Sequence, residues 1–183
     1  MPKVIFRSEC RMKASDAGAT FGVTRVCVQN WRKALERPTR VGTYSLHDVA
    51  EIALVAAMRD AGRRAEDMRD VAAFVAGPIV QHAERAPAAI AVAHEEMSDA
   101  EKADVHAQAI ASVNPLRFAW VPRPLRKAGD ALPSVFLGNI EDLPARTEEA
   151  PVGDLLDLAA IGARMANSAP FPLFTYTVRE GAA

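Results

Sequence analysis

The stretch from Ala14 to Lys33, ASDAGATFGVTRVCVQNWRK, constrains the fold more than any other part of this chain. Asp16, Ala17 and Gly18 are small or polar residues of a first helix ending near Phe21, and Gly22 supplies the residue without a side chain that a tight interhelical turn needs. Thr24 has the hydroxyl that caps a following helix by accepting one of its unpaired amides. Val28 and Trp31, three residues apart, give that second helix one buried stripe. The pattern predicts a helix-turn-helix, although a plain helical hairpin would share it. Arg25, Val26, Gln29, Asn30 and Lys33 are left for the outer face. Amide and guanidinium groups there carry the paired donors and acceptors that fit base edges in a major groove.

Charge distribution supports the same reading. The net charge is only −1, yet between Met1 and Arg40 nine Lys or Arg stand against three Asp or Glu. Counted on to Gly77 the balance is thirteen against nine, leaving nine against fourteen for the remainder. A basic head on an acidic body is the distribution expected when one end meets phosphates. No run approaches the roughly eighteen uncharged apolar residues of a membrane span. MPKVIFRSECRMK has no signal-peptide pattern, so a cytoplasmic location is expected. Cys10 and Cys27 are the only cysteines, too few for a disulfide framework or a four-thiolate zinc site.

Beyond the second helix, Pro38 and Gly42 interrupt helix in the segment 34–44, which reads as a wing carrying Arg37 and Arg40 toward flanking phosphates. Ser45 and Asp48 open another helix with a capping box, and Leu46, Val49, Ile52, Ala53 and Ala56 follow as its core stripe to about Ala61-Gly62. A further helix is expected from Ala65 to Ala76, with Met68, Val71, Ala72 and Val75 inward, ending at Gly77-Pro78.

This order of helix, glycine turn, recognition helix, Arg-bearing wing and Tyr44-Ser45-Leu46-His47-Asp48-Val49 junction resembles the winged helix-turn-helix domain of the MerR family of bacterial transcription regulators, over roughly residues 12–76. Gly22-Val23-Thr24 stands where the family has Gly-Val-Ser, and Trp31 matches the second aromatic of its Arg-Tyr-Tyr segment. Gln29 and Asn30 replace the Arg and first Tyr, which implies that a different DNA sequence is read. The resemblance adds Tyr44 to the expected DNA-binding set of Thr24, Arg25, Val26, Gln29, Asn30, Lys33, Arg37 and Arg40. It also implies dimerisation and an effector sensed beyond the DNA-binding domain. The long coiled-coil helix of the family is not expected here, because Pro87 divides residues 78–97 into two shorter helices.

Ser98 and Glu101 form a second capping box, starting a helix to about Val113. Leu116 to Val121 alternates as a strand, and Ser134 to Leu137 is a weaker strand candidate. Asp154 to Asn167 has helical spacing, while Leu173 to Val178 and Val4 to Phe6 read as strands. The expected architecture is therefore α+β. A mainly helical winged helix-turn-helix domain at 1–77 is followed by a helical connector at 78–115, suited to dimerisation, and a small α+β domain at 116–183 of unassigned role.

His82, His94 and His106 recur every twelve residues, but on a helix successive rings would point roughly 120° apart, and neither metal nor cofactor is expected. Arg123, Arg126 and Lys127 suit an anionic ligand, a second DNA contact, a partner's acidic surface or simply a solvated loop. No nucleophile elbow or phosphate loop appears, so an enzyme is not expected. The reading is a dimeric, sequence-specific regulator of double-stranded DNA. Two alternatives are a phage or mobile-element factor of the small terminase subunit type and a module that binds a protein or ligand through 116–183.

Overall fold

The computed structural model describes residues 3–38, 42–93, 97–111, 114–122, 136–144 and 152–180, which combine helices with short strands into an α+β fold. Strand β1 spans Lys3–Glu9 and β2 spans Met12–Lys13. Helix α1, Ala14–Phe21, begins where the Lys13 amide donates to the Asp16 carboxylate at 3.3 Å. It ends on Gly22 at φ 67°, a left-handed conformation that disfavours any residue with a Cβ. Helix α2, Arg25–Ala34, starts at Thr24, whose Oγ1 accepts the Cys27 amide at 3.2 Å. Gly18 sets how closely the two helices approach, since a Cβ there would lie 2.6 Å from the Val23 carbonyl oxygen.

The chain returns through β3, Thr43–Tyr44, which pairs antiparallel with β2 so that Met12 faces Tyr44 and Lys13 faces Thr43. Helix α3, Leu46–Asp60, carries the expected capping box, with the Ser45 amide donating to Asp48 at 2.9 Å and the Asp48 amide donating to Ser45 at 3.2 Å. Its burial exceeds one stripe. Ala50, Leu54 and Val55 are enclosed along with Val49, Ile52, Ala53 and Ala56. A helix apolar round most of its circumference belongs at the centre of a molecule, and α1, α2 and α4 all pack on it.

A short 3₁₀ turn at Ala65–Met68 leads into α4, Arg69–Glu84. This helix runs straight through Gly77-Pro78, correcting the expected break there. Proline removes one backbone bond, to the carbonyl of Phe74, but Phe74 is 52% exposed and that side of the helix faces solvent. The buried line of Val71, Val75, Ile79, Val80 and Ala83 holds the two halves in one helix. Nor do two helices cover residues 78–97. After α4, Pro87–Ala89 forms a 3₁₀ turn and Ile90–Ala93 forms strand β4. Helix α5, Asp99–Ala111, has the Ser98 and Glu101 capping box that its sequence predicts.

Strands β5, Phe118–Pro122, and β6, Phe136–Gly138, match the two expected positions. The expected helix at Asp154 to Asn167 is two elements. Gly153–Asp157 is strand β7, paired with β5, and only Leu158–Ser168 is helix α6. Asp157 marks the change, its carboxylate capping α6 by accepting the Ala160 amide at 3.1 Å. The last strand, β8, is Phe174–Glu180.

The division into domains at 77 and 115 does not hold. β8 is the middle strand of a sheet ordered β1, β8, β4, pairing antiparallel with the first strand of the chain and parallel with β4. α6 packs against α4 and α3, and one apolar cluster runs without interruption from Met12 to Val178. A buried polar knot reinforces the closure: Glu84 of α4 accepts from Arg7 of β1 and from the Tyr176 hydroxyl of β8. Arg63, after α3, pairs with Asp154 of β7 across the same boundary.

Candidate nucleic-acid interface

Helix α2 divides its residues cleanly between two faces. Val28, Trp31 and the following Leu35 are buried, whereas Arg25, Val26, Asn30 and Lys33 are exposed, Gln29 is half-buried and Val26 reaches 62% exposure. Thr24, one residue ahead, is exposed beyond its capping role. An exposed valine on the first turn, flanked by Arg25 and Gln29, is an apolar contact between two hydrogen-bonding groups, a combination suited to thymine methyls beside polar base edges.

Arg25 and Gln29 share a concavity of about 240 Å³ with Lys13, Ala14, Ser15, Gly42 and Thr43. Its walls come from three elements: the outer side of α2, the start of α1 and the β2–β3 ribbon. Beside it, Arg11 Nε donates to Thr43 Oγ1 at 3.0 Å. The cations Lys13 and Arg25 thus share this concavity with Ser15 and Gln29. Arg11, Lys13 and Ser15 are not among the residues expected from sequence. The two-residue pairing of β2 with β3 and the packing of α1 on α2 bring Lys13 and Ser15 beside Arg25 and Gln29, and so short a strand leaves no periodic signal.

Two expected contacts are corrected. Tyr44 has no exposed surface, because its pairing with Met12 turns the ring into the core beneath α2, with the Arg32 guanidinium 5.5 Å above it. Arg37 keeps only 29% of its side chain exposed. Its Nε donates to Glu51 at 3.0 Å, tying the side chain to α3. Arg40 lies outside the described residues, as does 39–41 of the expected wing. So does the basic cluster Arg123, Arg126 and Lys127.

Behind the open face, Arg32 is the pivot. At 2% exposure it reaches Asp48 at 2.7 Å and Glu51 at 2.6 Å, joining α2 to the first two turns of α3 through two carboxylates. Charge burial of this kind is tolerated only when paired and hydrogen-bonded, so the network fixes the rotation of α2 about its axis. Sequence reading missed this role, since an arginine directly before Lys33 in a basic segment looks like one more surface cation.

The remaining titratable groups serve structure. Burial holds the His82 ring below its ordinary pKa even though its Nε2 lies 3.2 Å from the Leu116 carbonyl oxygen. His106 Nε2 lies 2.9 Å from the Glu84 carbonyl oxygen, and His94 is outside the described residues. Among the described residues no three His, Cys, Asp or Glu are grouped to hold a metal. Burial beside Glu9 pushes the Cys10 thiol up to about 11, leaving little thiolate at neutral pH. Cys27 is half-buried against the core. No described helix is long and apolar enough to cross a membrane.

No family model matches the chain, and neither a curated protein nor a solved structure matches it.

Proposed function

We propose that this protein is a sequence-specific regulator of transcription that binds double-stranded DNA through a winged helix-turn-helix resembling that of the MerR family. In this reading α2 enters the major groove, and the ribbon of β2 and β3 forms the base of a wing lying along the adjacent backbone. Arg25, Gln29 and Asn30 read base edges, Val26 meets apolar base surface, and Arg11, Lys13 and Lys33 neutralise phosphates. Dimerisation doubles a site that one recognition helix would leave only a few base pairs long.

The observation that supports this reading is the shared concavity. Gln29, a group able to read bases, lines it together with Arg25 and Lys13, on a helix whose rear is locked by Arg32. Basic groups that merely kept the protein soluble would not need that rigid backing.

Binding of Gln29→Ala and Lys13→Ala to a selected cognate duplex and to random duplex tests the reading. Gln29→Ala should lose about 1 to 3 kcal/mol on the cognate duplex and little on random duplex. Lys13→Ala should weaken both alike and lower the salt dependence of binding by about one ion. Equal losses by Gln29→Ala on both duplexes would remove it from a base-reading role.

A further inference from the structure

We infer that each half of the DNA site holds a thymine, whose 5-methyl group packs on Val26, and close to it an adenine, whose N6 and N7 are bonded by the side-chain amide of Asn30. This deepens the proposed function and rests on α2 entering the major groove. What it adds is the identity of two bases and the distance between them.

The first observation is apolar exposure. At 62%, Val26 is the most exposed large apolar side chain among the described residues, and it lies on a helix whose other exposed residues are Arg25, Asn30 and Lys33. An apolar side chain open to water in the midst of cations and an amide calls for an apolar partner. On the base edges of a major groove that partner is the thymine methyl group, which neither cytosine nor a purine carries.

The second observation is a polar group held ready. Asn30 is exposed, and among the described residues no hydrogen bond engages its amide. A side-chain amide sets an acceptor beside a donor, the complement of the N6 donor and N7 acceptor that adenine presents in the major groove.

The third is alignment. At about 100° per residue, Asn30 lies about 40° round the helix from Val26 and Lys33 about 20°, so the three form one ridge. Val26 and Asn30 are about 6 Å apart along the axis and base pairs stack about 3.4 Å apart, which sets the two contacts about one or two base pairs from each other. Lys33, about 4.5 Å farther along, carries the ridge to a phosphate at its end. Arg25 and Gln29 flank the ridge on the side of the concavity that they share with Lys13, so the base read by Gln29 is distinct from these two.

Base analogues test the assignment in the native protein. The duplex that the full wild-type chain selects from random DNA is remade with one thymine changed to uracil, which lacks only the methyl group, or one adenine changed to 7-deazaadenine, which lacks the N7 acceptor, at each position in turn. One uracil replacement in each half-site should weaken wild-type binding about fourfold, the effect of one methyl group lost from a covered contact. One 7-deazaadenine replacement, about one or two base pairs away, should weaken it on the order of tenfold. Val26→Ala should bind the thymine and uracil duplexes alike and keep the 7-deazaadenine loss, and Asn30→Ala should do the reverse. Tolerance of uracil at every thymine, tolerance of 7-deazaadenine at every adenine, a uracil loss kept in full by Val26→Ala, or sensitive positions farther apart than this spacing would each overturn the assignment and leave DNA reading by α2 standing. Failure of wild type to select any duplex would overturn both.

Discussion

Gly18 and Arg32 show how much of the candidate interface depends on residues that never reach its surface. Adding one methyl at Gly18 drives a Cβ to 2.6 Å from the Val23 carbonyl, backbone that cannot step aside without moving Thr24 and the start of α2. Gly18→Ala should cost about 1 to 3 kcal/mol in urea unfolding, the range for overpacking, and should weaken DNA binding beyond what lost stability explains. Arg32→Ala removes the cation shared by Asp48 and Glu51, leaving Glu51 its bond from Arg37 and Asp48 its bonds from Ser45. Breaking a buried pair from one side costs about 3 to 5 kcal/mol, and thermal unfolding should register it. The neighbouring Lys33→Ala, on the exposed face, should leave the free energy of unfolding unchanged within about 0.5 kcal/mol. Three consecutive positions, Trp31, Arg32 and Lys33, thus have three different roles, set only by their angle around one helix.

At the scale of elements, local chemistry was legible wherever it is self-contained. The Thr24 cap, the Gly22 turn and the capping boxes of Ser45 and Ser98 are all read from a few adjacent residues, and each is present. Where the sequence misled, a distant partner decides. Pro78 is tolerated because α4 is clamped along Val75 and Ile79 by other helices, which no local rule contains. Leu155 shares helical spacing with Leu158, Ala159 and Gly162, yet β5 recruits Leu155 and Leu156 into a ladder, and Asp157 delays the helix until after them. His82 tests the same idea from the side of pH. Burial lowers its pKa, so the ring takes up a proton less readily in the folded protein than in the unfolded chain, which protonates near pH 6.5. Its stabilising effect is full above that pH and is lost as pH falls below it. The melting temperature should therefore drop on acidification through this window, and His82→Gln should flatten that part of the profile. An unchanged slope would show that another group governs it.

For the whole molecule, the closure of β8 against β1 gives an apparent head and body one shared sheet and core. The basic N-terminal part is real in charge but not separable in structure, because its first strand, its central helix and α4 share a core with residues 153–178. The sequence could not show this: Lys3–Glu9 and Phe174–Glu180 each read as a strand, and nothing local says that they pair. A fragment of residues 1–77 should accordingly show no cooperative thermal unfolding, whereas the full chain should melt in one transition. The proposed function uses that rigidity, since Arg25 and Gln29 are held against Lys13 by a frame extending to the C-terminal strand. The most direct measurement is selection from random-sequence duplex DNA, with wild type and Gln29→Ala run in parallel. Wild type should enrich one two-fold symmetric motif, and Gln29→Ala should lose preference at a single base position in each half of it. Enrichment of no motif by wild type, or an identical motif from Gln29→Ala, would contradict the claim that this face of α2 reads DNA.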